Sequence, residues 1–239
     1  MDNAGYIGLT RQAGLLKEMN SVANNIANIS TNGFRREGAI FAEHVEALEG
    51  GQPSLSIATM THRFVDLSAG DVMMTNNALD VAISGDGFFH VETPNGERLT
   101  RDGAFSLNNI GEMVTATGAR VLNNSGGPIT LPPDATSISI AADGSISADG
   151  QAVSQLGLVT SDPTQLVRDG DNQFIAELGI EPATNARVQQ YALEGSNVSA
   201  VEELARLIEV QRTYEAGQRF MQNEDERIER TIRALGQQQ

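Results

Sequence analysis

The sequence predicts an α+β protein, with a long helix at each end and a central all-β domain of short strands and hairpins. Near both termini apolar residues recur at alternating intervals of four and three, the period of a helix that packs on another helix. Between them the period shortens to alternation and brief apolar runs broken by glycine-centred turns, the mark of a hairpin-rich sheet. These changes divide the 239 residues into an N-terminal helix segment over 1–35, a linking or extended segment over 36–79, a β domain over 80–195 and a C-terminal helix segment over 196–239.

The first helix is read from about Tyr6 to Ile29, with Leu15, Met19, Val22, Ile26 and Ile29 forming a narrow seam. Its last turns hold an unusual number of amides: Asn24, Asn25, Asn28 and Asn32. Asparagine is a mediocre helix former whose side chain competes for backbone hydrogen bonds, so the repetition points to a demand from outside the helix. Asn24, Asn28 and Asn32 lie four apart, on one stripe beside the seam, and are expected to bond neighbouring subunits or the C-terminal helix and so fix register. Gly33 is expected to supply a left-handed residue, with Phe34 folding back onto Ile29 in a Schellman ending. Arg35 and Arg36 follow, where positive charge suits a helix C-terminus.

Gly50-Gly51-Gln52-Pro53 reads as a flexible connection, and Ile57 to Leu67 as extended chain. From Asp80 onward Val81 and Ile83, then Val121, Ile129 and Leu131, then Ile138, Ile140 and Ile146 alternate or cluster. Turn signals such as Gly85-Asp86-Gly87, Asn95-Gly96, Asp102-Gly103 and Asp143-Gly144 separate them.

After Gly195 the helical period returns behind a capping box, Ser199 to Glu202. Leu204, Leu207, Gln211, Tyr214, Gln218, Met221, Asp225, Ile228, Ile232 and Leu235 keep the 4,3 spacing, with Val201 and Ile208 beside them. A helix of this length would run on the order of 50 Å. Glu202 with Arg206, Glu215 with Arg219, Glu226 with Arg230 and Glu229 with Arg233 stand four apart, the acid first, as on a solvated helix face. Neither terminal stripe can be buried on its own helix, so the two helices are natural partners in a coiled coil. Polar residues at the seam positions Gln211, Gln218 and Asp225 weaken it and specify register. The ends are therefore expected to be weakly ordered until several chains pack together.

Net charge is −15 and Lys17 is the one lysine, which excludes nucleic acid and anionic membrane surfaces as partners, since both require clustered positive charge. Without cysteine there are no disulfides or thiolate metal sites. The N-terminus lacks the basic start and apolar run of a cleaved signal peptide, and no run of 18 apolar residues occurs, so neither a signal peptide nor a membrane span is expected. His44, His62 and His90 are scattered without a metal-ligand spacing. Asp86, Glu97 and Asp102 are the carboxylates that a carbohydrate-active β-domain would use, but nothing in the sequence brings two of them together, and Asp-Gly is ordinary hairpin chemistry. No cofactor or small-molecule substrate is implied.

Ala23 to Phe34, ANNIANISTNGF, resembles the N-terminal signature of the bacterial flagellar rod and hook proteins. LDVAISGDGFF at 79–89, TRDGAF at 100–105, GARVL at 118–122, EGSNV at 194–198 and QRTYE at 211–215 are similar to later motifs of that family, in the same order. Within it, the Met-Asp-Asn start, the length and the Leu-Glu-Gly-Ser-Asn-Val run look most like the proximal-rod branch of F type, with the distal-rod branch as the alternative. The resemblance implies a structural, non-catalytic subunit of the basal-body rod in the periplasm. It would be exported through the flagellar type III apparatus without a cleaved signal peptide, and would assemble with itself and other rod proteins. Terminal helices would form an inner coiled-coil layer and the β domain an outer one. The assembly residues are then the N-terminal seam, the asparagines, the Gly33-Phe34 turn and Asn197, with Val201, Leu204, Leu207, Ile208, Gln211, Tyr214, Met221 and Ile228 on the C-terminal helix.

Overall fold

The structure, a computed structural model, describes residues 3–46 and 55–236; the Gly50 to Pro53 connection lies outside them. The described chain is α+β and packs as two units. One comprises residues 1–27, 37–64 and 199–239; the other comprises residues 28–36 and 65–198.

In the first unit, helix α1 spans Asn3–Ala27 and helix α2 spans Ala200–Gly236. They run antiparallel, because Gln12 meets Tyr214, Glu18 meets Arg206 and Asn25 meets Glu203. Ser199 caps α2, its Oγ accepting from Glu202 N at 3.5 Å and its main-chain oxygen from Glu203 N at 3.0 Å. Strands Glu37–Glu46 and Leu55–Val65 pair as a two-stranded ribbon, so much of what reads as linker is strand, and the extended reading of Ile57 onward agrees with it.

The second unit is strand-rich. Its central strand, Phe88–Thr93, is flanked by Gly96–Thr100, Arg120–Val121 and Leu158–Thr160, all antiparallel to it. Ile138–Ile140, Ser145–Ala148 and Gln151–Gln155 form a three-stranded meander. Two ribbons complete the unit, Val81–Ser84 with Arg187–Gln190 and Val72–Met74 with Ala192–Glu194. Successive strand residues point to opposite faces, and Phe88-Phe89 uses this to serve two cores. Phe89 packs edge-on to Phe105 at 5.0 Å among Val81, Val91, Val121 and Leu131. Phe88 meets Phe174 at 5.7 Å among Leu99, Val159 and Leu166. Of the turn signals, Asn95-Gly96 and Asp143-Gly144 lie between paired strands, with Gly96 at φ +109° and Gly144 at φ +84°, whereas Gly85-Asp86-Gly87 and Asp102-Gly103 join strands that pair elsewhere.

Candidate assembly site

In the helix unit, α1 buries Gln12, Leu15, Glu18, Ser21, Val22 and Asn25. Leu15 and Val22 thus stand where the seam requires, while Met19 and Ile26 are half-buried and the packed face is displaced toward polar side chains. Gln12 Nε2 donates to Tyr214 O at 3.1 Å, and Arg206 Nε donates to Glu18 at 2.7 Å. Arg206 therefore serves Glu18 and Glu209 rather than Glu202. The other acid-first pairs form, from Glu215–Arg219 at 3.7 Å to Glu226–Arg230 at 2.7 Å.

On α2 the covered line runs through Glu203, Leu207, Val210, Tyr214, Gly217, Met221 and Ile228. Leu207, Tyr214, Met221 and Ile228 belong to the predicted seam, but its remaining members are replaced by Glu203, Val210 and Gly217. Gly217 leaves room for the Gln12 amide, since a Cβ there would lie 2.7 Å from Gln12 Nε2. Gln211 is exposed, and so are Val201 at 78 %, Leu204 at 50 % and Ile208 at 50 %.

The amide-rich stretch departs from its sequence reading. Helix α1 stops at Ala27, so Asn28 and Asn32 are not on a helical stripe with Asn24. Asn24 is exposed and Asn25 is fully buried. Asn25 Oδ1 accepts from Glu37 N at 2.9 Å, and its Nδ2 donates to Glu37 O at 2.8 Å and Glu203 Oε2 at 3.1 Å. One side chain therefore copies a strand partner for Glu37 and ties α2 to it.

Residues 28–36 pack with the β unit. Asn28 Oδ1 accepts from Thr31 Oγ1 at 3.0 Å, and Phe34 N donates to Thr31 O. Gly33 is left-handed as expected, at φ +64°, but no Schellman ending forms: its N–H donates to Glu194 O at 2.7 Å. Any side chain at Gly33 would meet backbone, with a Cβ 2.4 Å from Arg101 C. Ile29 is half-buried, whereas Phe34 is buried beneath the Arg168 guanidinium, 4.4 Å above its ring. Asn32 O accepts from Asn172 Nδ2 at 2.7 Å.

At the centre lies Glu194, fully buried. Its Oε1 accepts from Arg35 Nη2 at 2.7 Å and Gly70 N at 2.9 Å, and its Oε2 from Arg101 Nη1 at 3.2 Å. Arg101 also donates to Gly85 O at 2.7 Å and lies 5.5 Å from the Phe88 ring centroid. Burial, and the Arg35 charge beside it, push the Arg101 guanidinium below its ordinary pKa, against the pull of Glu194. Asn197 completes the knot: its Oδ1 accepts from Arg36 N at 2.6 Å, and its Nδ2 donates to Asp66 O and Ser68 O. The motifs NGFRR, GDGFF, TRDGAF and EGSNV thus meet in one place. Sequence reading missed Arg35, Arg101 and Glu194 as a set; the signal was an arginine in each of two motifs and a glutamate in a third.

Of the candidate hydrolase carboxylates, Asp86 is exposed, and Glu97 and Asp102 have local partners. Glu97 Oε2 lies 3.1 Å from His90 Nε2, and Asp102 Oδ1 accepts from Ala104 N at 3.0 Å. Burial, helped by the charge of Asp80, raises the Asp102 carboxyl above the usual range despite that bond. A raised folded-state pKa contributes stability that is complete below the unfolded value and lost as pH climbs through the folded one. Asp102→Asn keeps the acceptor and removes the charge. It is expected to stabilise the chain at pH 7 by up to about 1 kcal/mol, the gain vanishing near pH 4. Paired urea melts at the two pH values check this, and a variant weaker than the native chain at pH 7 contradicts it.

Residues 82–148 match the flagellar hook protein FlgE/F/G D1 domain, and residues 189–234 the flagellar basal body rod FlgEFG protein C-terminal domain. The chain is 38 % identical to the flagellar basal-body rod protein FlgF of Caulobacter vibrioides and 35 % identical to that of Mesorhizobium japonicum, over 99 % of both chains in each case. It is also 31 % identical to the rod protein FlgG of Bacillus subtilis, over 95 % of this chain and 97 % of that one. With likeness at this level from end to end, the chain belongs to the flagellar basal-body rod protein family, as a structural member of F type.

Proposed function

We propose that the chain is a non-catalytic subunit of the proximal rod, assembling helically with copies of itself and with other rod proteins to transmit torque. Its terminal helices form the inner, coiled-coil layer and its β unit the outer one; the flagellar type III apparatus exports it without a cleaved signal peptide. The observation that carries this is apolar surface left over after α1 and α2 have packed: Val201, Leu204 and Ile208 on α2, Leu9 and Leu16 on α1. A helix pair exposing a second stripe is built to receive further helices. Among the described residues no helix is long and apolar enough to cross a membrane.

Replacing Leu204 and Ile208 by Asp together should leave the secreted chain folded and soluble but abolish its incorporation into basal bodies, and with it swimming. A strain lacking the gene that still builds complete rods and swims would refute the function itself.

A further inference from the structure

The chain holds two Asn-Gly steps, Asn32-Gly33 and Asn95-Gly96. Such a step is chemically weak, because a glycine nitrogen, unshielded by a side chain, can attack the preceding amide. A bond forms from that nitrogen to the asparagine Cγ, ammonia leaves with the displaced amide nitrogen, and a succinimide ring results. Water then opens the ring at either carbonyl, giving isoaspartate in excess over aspartate, with nothing oxidised or reduced. The dipeptide is the same at both places, so the fold decides between them.

At Asn32 the fold blocks the attack. The Gly33 N–H already donates to Glu194 O at 2.7 Å, and Asn32 O accepts from Asn172 Nδ2 at 2.7 Å. Gly33 is buried, with Arg101 and Asp102 backbone 2.4–2.6 Å from where a Cβ would stand, so the step cannot rotate into the ring geometry. Asn95 and Gly96 instead form the exposed tip of the hairpin joining Phe88–Thr93 to Gly96–Thr100. A Cβ on Gly96 would meet nothing nearer than Arg98 Nη1 at 3.5 Å. The tip is held by exposed bonds to Thr93 Oγ1, which accepts from Asn95 N at 3.2 Å and donates to Gly96 O at 2.9 Å. The Asn95 side-chain amide has no partner among the described residues.

We propose that Asn95 is a site of self-modification, converting through the succinimide to isoaspartate while Asn32 stays intact. The product acts on the hairpin. It adds a negative charge where Glu92 and Glu97 already stand opposite each other, an unfavourable cross-strand pair. Asp169 and Asp171 line the same cavity of about 210 Å³ as Asn95 and add to the repulsion. Isoaspartate also lengthens the main chain by a carbon, which the two Thr93 bonds do not fit.

The test ages the folded full chain in warm, mildly alkaline buffer made with oxygen-labelled water. Peptides are then mapped by mass spectrometry, with fragmentation that separates isoaspartate from aspartate. Label should enter at position 95 at least ten times faster than at position 32, and mostly as isoaspartate. In guanidinium chloride the two sites should react at rates within threefold of each other. Asn95→Gln, which keeps an amide but closes a ring far more slowly, should melt with the native chain and take up no label at 95. Comparable rates at the two sites in the folded chain, faster reaction at Asn32, or aspartate without isoaspartate at 95 overturns the assignment. So does a gap that persists unchanged in the unfolded chain, since the fold would then not be its cause.

Discussion

Replacing Glu194 by Leu is expected to lower the stability of the β unit by about 3–5 kcal/mol, the usual cost of stranding a buried charge. The carboxylate is the shared acceptor of Arg35, Arg101 and Gly70 N. Arg35 is fully buried, and its Nε and Nη1, like Nε of Arg101, have no partner among the described residues even with Glu194 in place. Desolvated guanidinium groups that already lack acceptors are poorly placed to lose another. The charge is the cause rather than the volume, so Arg35→Met with Glu194→Leu should be more stable than Glu194→Leu alone, since the double variant removes one of the two stranded cations. Urea unfolding of the full chain, followed by hydrogen exchange in the Phe88–Thr93 strand, measures both. A single variant within about 1 kcal/mol of the native chain would mean that the knot contributes little.

The knot also shows what could be read from the sequence. Periodicity identified both helices and the strand-rich middle because each depends on local spacing. The strand over Glu37–Glu46 escaped notice because its sequence, EGAIFAEHVE, has no clean alternation. The seam on α2 was half legible for a related reason. Two lines share Leu207, Tyr214, Met221 and Ile228, and apolar content favours the one through Leu204. The fold chooses the line through Glu203, Val210 and Gly217, because Asn25 needs a carboxylate and Gln12 needs the room a glycine leaves. That choice is made by residues nearly two hundred positions away, which spacing within one helix cannot reveal. The motifs marked the residues that meet around Glu194, but which charge faces which follows from strand pairing alone.

Asn25 carries the second large effect. The register role first given to Asn24, Asn28 and Asn32 required a helix continuing past Ala27, whereas Asn25 has the geometry to perform it within one chain. Its amide gives Glu37 both a donor and an acceptor and has a hydrogen left for Glu203. Leucine matches its size and supplies none of these bonds; aspartate supplies the acceptor but sets a carboxylate against Glu203. Asn25→Leu is therefore expected to cost about 2–4 kcal/mol, from several buried polar groups each losing a partner, and Asn25→Asp at least as much at neutral pH. Asn28→Leu, which removes a half-exposed bond from Thr31 Oγ1, should cost less than Asn25→Leu, whose bonds are buried. Thermal melts at 222 nm rank the three, and incorporation into basal bodies should fall in the same order. If Asn28→Leu proves the more damaging to assembly while Asn25→Leu melts like the native chain, the lock lies between subunits rather than within one. As the fold stands, the three bonds of Asn25 set how α1, α2 and the Glu37 strand are aligned before any neighbour arrives, and a polar helix interface would slide without them.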